Sequence, residues 1–453
     1  MRLRNLTRRL EIGANSYLFE SAEGYRFVID AGMHPKAEGR QAMPDFDSVP
    51  PDSVDSILLS HAHHDHLGAL PLLQRSHPNT PVFMTEFTGE ISDAMLHNSV
   101  NVMTKQREAA GLGEMPFFTH REVESLRRMW TYVELKRAFE LPDSNIECRF
   151  HDAGHIVGSA GIQISEGGKS LLYTGDVNFE SQTICLPADF PKKGIDVLIM
   201  ETTRGDYQRP AEYSRRLEKE RLGRVICETY ERGGSVLIPV FALGKTQEVM
   251  VMLHELYLND LIPEMPLFIG GLSTKITVLH DKYCRSTRRN YPNFMLLDDI
   301  DLLVPSSGRR RREIVNQPKC IFALSSGMMS EKTTSNGFAQ TFLDNPRNTI
   351  AFVGYTDPES PGYKVRHAKP GQQVVLDADK PPVVVNARVE SFDFSAHAPR
   401  EDLLDYAVKL KPKKIVLVHG DEPAQLWFEG QFKTQLPNTE IVRPFPGTWF
   451  DLW

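Results

Sequence analysis

The chain has 453 residues, 25% of them charged and 41% hydrophobic, enough for two to three domains at roughly 150 residues each. With 52 Lys and Arg against 59 Asp and Glu the formal net charge is -7, which excludes a globally basic nucleic-acid binder and leaves any attraction to a polyanion to local clusters. Five cysteines (Cys148, Cys185, Cys227, Cys284, Cys320) without short spacing write neither a disulfide framework nor a Cys-based zinc site. They fit a reducing compartment. No apolar run approaches the ~18 residues of a membrane span, and no apolar signal segment follows the Arg-rich start, so a soluble, cytoplasmic protein is expected.

Short β-rich runs bounded by Gly, Pro, Asp or Ser predict strands at 15–20, 26–30 and 54–59. Helices are expected at 86–100 and 120–139, then strands at 162–165, 170–174 and 196–200. From about residue 210 a long charged helix (211–231), a strand (235–239) and a helix (246–258) are followed by strands at 266–269, 319–324 and 349–353. That alternation predicts a parallel sheet with helical crossovers. Past Gly371 short strands return at 374–376 and 382–386, followed by a helix at 400–409 and a strand at 414–418.

The run Ser60-His61-Ala62-His63-His64-Asp65-His66 directly follows the apolar stretch 57–59. Neutral imidazoles and carboxylates are the donors that Zn²⁺ prefers, and a loop leaving a buried strand can converge them. His61 and His63 can reach one metal, while Asp65 and His66 point onward to a second. The bland alternative, a polar surface loop, rarely places four such donors within six residues.

This HxHxDH run resembles that of the metallo-β-lactamase superfamily, which implies an αββα sandwich. By that resemblance His155, after Gly154 on a Gly-rich loop, is a further ligand of the first metal. Asp176, ending 171–176, resembles the bridging aspartate, and Asp30 the carboxylate that orients a ligand histidine. Further on, Glu201, His397 and His419 resemble motifs A, B and C of the β-CASP nucleases. The resemblance covers nearly the whole chain and implies a discontinuous core, 1–205 and 371–453, around an α/β β-CASP insert at 206–370.

Family members acting on RNA carry His in motif C, so His419 points to RNA. The segments 239–248 and 325–329 are similar to those of the RNA-processing branch, which includes the 3′-end processing endonuclease of the cleavage and polyadenylation machinery and short bacterial and archaeal relatives. The implied activity is metal-dependent hydrolysis of RNA phosphodiester bonds, as an endonuclease with room for exonuclease action. Two Zn²⁺, with Mn²⁺ as the alternative, roughly 3.5–4 Å apart would activate water and neutralise phosphate charge. One would take His61, His63 and His155, the other Asp65, His66 and His419, with Asp176 between them. Asp65, Glu201 and His397 then form the catalytic set, Glu201 orienting His397 as a general acid. His64 and the remaining histidines lack a motif.

For substrate contacts the resemblance implies Ser326, Gly327 and Lys245, and the basic run supplies Arg309 and Arg310. Such a charge run is more often a solvated face. The implied partner is single-stranded RNA, with no membrane, and a homodimer is expected by analogy with relatives. Three positions depart from the family pattern: Lys245 in place of Arg, Glu331-Lys332 in place of Gly-Gly, and Pro399 in place of Asp. Two other readings compete, a hydrolase of a small ester or thioester on the same core and a non-catalytic scaffold subunit of an RNA-processing complex. The first would need neither Glu201, His397 nor an insert of domain size, and the second would not need all seven ligands.

Overall fold

The structure, a computed structural model, describes residues 1–111, 116–300, 302–303 and 317–453. The chain divides into two compact units, 1–181 with 186–209 and 397–453, and 182–185 with 210–396. None of the helices among the described residues is long and apolar enough to cross a membrane.

The first unit holds two seven-stranded sheets. One runs Trp449–Asp451, Arg2–Asn5, Tyr17–Glu20, Arg26–Ile29, Ser56–Leu58, Val82–Met84, Trp130–Tyr132. The other runs Glu440–Val442, Lys414–Val418, Val197–Glu201, Lys169–Tyr173, Ala160–Glu166, Glu147–Asp152, Ala138–Glu140. Alternation decides which face turns inward: Leu3, Phe19, Phe27 and Leu58 of the first sheet meet Phe150, Ile162, Ile164 and Ile199 of the second in one buried core. The outer face of the second sheet, through Leu172, Leu198, Ile415 and Leu417, is covered by Leu403 and Ala407 of helix Arg400–Leu410 and by Phe428 and Phe432 of helix Glu422–Gln435. Each fully buried Phe contributes about 1.5–3 kcal/mol. The αββα sandwich is therefore present.

The chain reverses where strands end, and this positions the chemistry. Strands Arg26–Ile29, Ser56–Leu58, Lys169–Tyr173, Val197–Glu201 and Lys414–Val418 run out into Asp30, the 60–66 loop, Asp176, Glu201 and His419. In a sheet with parallel neighbours such C-terminal strand ends gather on one edge.

The second unit is built on a six-stranded sheet, Leu302–Leu303, Leu267–Phe268, Ile321–Leu324, Val236–Pro239, Thr349–Phe352, Arg388–Ser391, in which every neighbouring pair is parallel. Phe322, Phe338, Phe342 and Phe352 fill its core. Parallel pairing requires crossovers, and the helices Lys245–Leu258, Leu272–Lys282 and Thr334–Phe342 supply them.

Two expectations need correction. The stretch 120–139 is not one helix: a capping box between Thr119 and Glu122 starts helix His120–Leu126, but Trp130-Thr131-Tyr132 then joins the sheet edge beside Val82–Met84. Aromatic and β-branched side chains favour that extended edge over helix. The chain also returns to the first unit at His397 rather than near Gly371, because Arg388–Ser391 pairs in parallel with Thr349–Phe352 and so belongs to the insert's sheet.

Candidate active site

The loop after Ser56–Leu58 turns directly into the short helix His64–Leu67, so His63 stands in extended backbone while Asp65 and His66 follow on helical spacing. The loop carrying His155 is set by Gly154, at φ 65, where an added Cβ would lie 2.5 Å from the Asn178 carbonyl oxygen. Asp30 and His419 also adopt left-handed backbone, at φ 59 and 46. Such residues cost of order 1–3 kcal/mol and persist where surrounding structure holds them.

These loops bring seven donors together. His61 Nε2 lies 3.2 Å from His63 Nδ1, and His155 Nε2 3.1 Å from the same atom. Asp176 Oδ2 is 3.4 Å from His61 Nε2 and 3.5 Å from His155 Nε2. Its other oxygen, Oδ1, is 3.3 Å from His66 Nε2, and His419 Nε2 is 3.3 Å from Asp65 Oδ2. Two clusters hold the expected ligands, His61, His63, His155 and Asp176 in one, Asp65, His66 and His419 in the other, and a third grouping joins Asp176 and His419 to Glu201, with donor atoms in each within 4.8 Å of one another. The Asp176 carboxylate faces both.

The electrostatics fit a cation. Burial pushes the His63 ring down to about 3, helped by His61, and burial holds His61 and His155 below the usual imidazole range. Their lone pairs are therefore available at neutral pH. Burial alone would raise the Asp176 carboxyl, but His419, His66, His397 and His61 around it hold it well below the carboxylate range. Asp176 Oδ1 is buried, with His66 Nε2 3.3 Å and His419 Nδ1 3.4 Å away but no well-aligned hydrogen bond among the described residues, an arrangement that a cation would complete.

Neighbouring residues fix the donors. Asp30 accepts from His66 Nδ1 at 2.7 Å, from the Ser60 amide and hydroxyl at 2.8 Å each, and from the Tyr173 hydroxyl at 2.8 Å. This directs His66 Nε2 toward Asp176. Asp30→Asn tolerates the left-handed backbone but loses the charge, and is expected to weaken metal binding by roughly 10–100-fold in a chelator competition. Unchanged affinity would show that Asp30 serves the fold alone.

His397 stands beside this set. Its Nδ1 is 3.0 and 3.2 Å from the two Glu201 oxygens, and its Nε2 is 4.0 Å from Asp176 Oδ2. Burial disfavours charge on this ring, yet Glu201, Asp176 and Asp65 outweigh it and push the pKa up to about 9. Glu201 is itself pinned, accepting from the Val177 amide at 2.7 Å. Pro399, the residue before helix Arg400–Leu410, occupies a helix start where a missing N–H is tolerated.

Three contributors escape notice in the sequence. The Asn15 amide Nδ2 donates to the Asp65 carbonyl at 3.2 Å and lies 3.4 Å from His66 Nε2. Tyr173 holds Asp30, and the Thr203 hydroxyl is 2.7 Å from His419 Nδ1. Thr203 follows motif A closely enough to be a candidate from sequence; Asn15 and Tyr173 carry no local signal.

The expected substrate contacts fare differently. Ser326 and Gly327 lie in the second unit on the loop after Ile321–Leu324, where Ser326 Oγ accepts from the Ser330 amide at 3.0 Å. Glu331 Oε1 accepts from the Ala378 amide at 3.2 Å. Arg309 and Arg310 lie outside the described residues. Lys245, expected on the substrate path, is instead buried, its ammonium donating to the Phe394 carbonyl, because it opens helix Lys245–Leu258 facing inward beside Glu248.

Burial lowers the Lys245 pKa from 10.5 to about 8, with Arg215 adding to the effect and Glu248 opposing it. Between those values the unfolded chain carries a proton that the folded lysine has released, so this group's contribution to stability rises with pH across the window, by about 3 kcal/mol in all. It is lost as pH falls through 8. Lys245→Met should remove that slope from the pH dependence of the urea midpoint. Parallel slopes for variant and wild type would refute the assignment.

Residues 10–102 match the metallo-beta-lactamase superfamily, 246–365 the Beta-Casp domain, and 382–444 the Zn-dependent metallo-hydrolase RNA specificity domain. The chain is 29% identical to transcription termination factor FttA of Methanocaldococcus jannaschii over 435 residues, 92% of this chain and 66% of that protein. It is 30% identical to transcription termination factor FttA of Methanothermobacter thermautotrophicus over 464 residues, 96% of this chain and 70% of that protein. An RNase J-like protein of M. jannaschii is 28% identical over 423 residues, 92% of both chains. The chain thus spans about two thirds of the length of the FttA relatives and most of the shorter one. A crystal structure of a protein of unknown function from Enterococcus faecalis V583 shares the fold, with TM-score 0.60 at 12% identity over 99% of each chain. With its donor loops in order and these matches along its length, the chain belongs to the β-CASP RNA-processing family of the metallo-β-lactamase superfamily.

Proposed function

We propose that the protein is a metal-dependent ribonuclease that hydrolyses RNA phosphodiester bonds endonucleolytically with two Zn²⁺ bound. The observation that carries this reading is the Asp176 carboxylate facing one cluster of three imidazoles and a second of two imidazoles and Asp65, with the Glu201-held His397 alongside. Divalent ions held there supply a water of lowered pKa and positive charge at the phosphate. His61, His63 and His155 would hold one, and Asp65, His66 and His419 the other. His397 donates from Nδ1 to Glu201 and carries the Nε2 proton toward the leaving oxygen. A donor set of five imidazoles and two carboxylates suits Zn²⁺ better than Mg²⁺.

RNA as substrate is supported by the match of 382–444 to an RNA specificity domain and by the relatives' names, a transcription termination factor and an RNase J-like protein. The test is direct: measure bound metal, then assay labelled single-stranded RNA, DNA and a thioester. RNA should be cut internally, chelation should stop the reaction, and added Zn²⁺ should restore it. Two bound metals with thioester hydrolysis and intact RNA would favour a small-molecule hydrolase. Absence of bound metal and activity would favour a scaffold.

A further inference from the structure

The turn that leaves strand Val197–Glu201 presents exposed chemistry that hydrolysis does not use. Tyr207 is 44% exposed, and the Arg204 guanidinium lies over its ring, 4.7 Å from the centroid. A second pair of the same kind adjoins it: Arg400 lies 4.2 Å over the Trp427 ring and donates from its guanidinium to the Gly205 carbonyl at 3.1 Å. The turn is closed by hydrogen bonds from the Gly205 amide to the Thr202 carbonyl at 2.9 Å and from the Tyr207 amide to the Arg204 carbonyl at 3.1 Å. Gly205 packs so tightly on Ala424 that a Cβ would come within 2.5 Å of its carbonyl oxygen. The turn is thus closely packed on helix Glu422–Gln435.

It is also tied to the donor set. Thr203, one residue before Arg204, touches His419 Nδ1 at 2.7 Å, and the Thr202 amide donates to the His419 carbonyl at 3.0 Å. Arg400 follows His397 by three residues. Carboxylates on the same segments, Asp206, Glu401 and Asp421, make this a poor seat for phosphate. An aromatic ring backed by a guanidinium offers what a nucleobase needs instead, a flat apolar surface with favourable charge distribution.

We propose that Tyr207, backed by Arg204 and flanked by the Arg400–Trp427 pair, is a stacking platform for one unpaired nucleobase of the RNA that threads the metal site. The assignment rests on the ribonuclease reading and adds where the strand is gripped. Stacking is tolerant of base identity, so the platform selects unpaired over paired RNA rather than a sequence.

The test compares metal-replete wild type, Tyr207→Ala and Tyr207→Phe on a labelled single-stranded RNA, on the same RNA with one abasic residue walked along it, and on bis(p-nitrophenyl) phosphate, which has no base. Expected is a KM for RNA raised about tenfold in Tyr207→Ala with kcat unchanged. Tyr207→Phe should behave as wild type, and turnover of the small diester should not move. One abasic position should weaken wild-type binding and leave Tyr207→Ala unaffected. The platform is overturned if Tyr207→Ala keeps the wild-type KM, if the small diester suffers equally, or if no abasic position distinguishes the two proteins. Wild type that neither binds nor cuts RNA overturns the ribonuclease reading, and the platform with it.

Discussion

His397→Ala is expected to slow RNA hydrolysis by roughly 10²–10⁴ while leaving bound metal at the wild-type level. The ring lies outside both donor clusters, so its loss removes no ligand. What it removes is an imidazolium held by Glu201 at 3.0 Å, with Nε2 4.0 Å from Asp176 Oδ2. The leaving group decides whether that proton matters. An RNA oxygen departs as a poor alkoxide and needs it, whereas p-nitrophenolate does not, so the defect should shrink sharply on bis(p-nitrophenyl) phosphate. Equal losses on both substrates would assign His397 a structural role.

The second large effect is expected at Asp176. Asp176→Asn keeps the shape of the side chain but removes the anion that faces His61 and His155 with one oxygen and His66 with the other. Both clusters then lose a charged donor at once, and the histidines around position 176 face one another without the anion between them. Metal content should fall, and hydrolysis should drop by at least the roughly 10³ associated with losing a principal electrostatic stabiliser. Excess Zn²⁺ should restore little. A variant that retains full metal and activity would show that Asp176 is not shared, and the two-metal arrangement would have to be abandoned.

Much of the site is legible in the sequence because its donors are concentrated where apolar strands end. His61, His63, Asp65 and His66 fall in one loop, and Asp176, Glu201 and His419 each end or follow a buried run. A polar residue at such a place has few bland explanations. Asn15 and Tyr173 could not be read this way: a polar residue just before a strand and a tyrosine within one are ordinary, and their meaning lies in partners at positions 65 and 30, far along the chain. The return point is hard to read from sequence for a related reason. Two-residue strands such as Gln373–Val374 and Val383–Val384 look the same whichever sheet receives them, and only the pairing of Arg388–Ser391 with Thr349–Phe352 assigns the segment to the insert. Lys245 shows the limit for single charges, since a helix-opening lysine reads identically whether it faces solvent or a buried carbonyl.

The first sheet has its N-terminal strand, Arg2–Asn5, held between Tyr17–Glu20 and Trp449–Asp451. Closing this sheet therefore joins positions 2–5 to 449–451, with the whole insert lying between them in sequence. His419 likewise arrives well over two hundred residues after Asp176. Loss of the segment after the insert would thus remove His419 from the donor set and the Trp449–Asp451 neighbour from Arg2–Asn5 together, so the site and the sheet edge stand or fall as one.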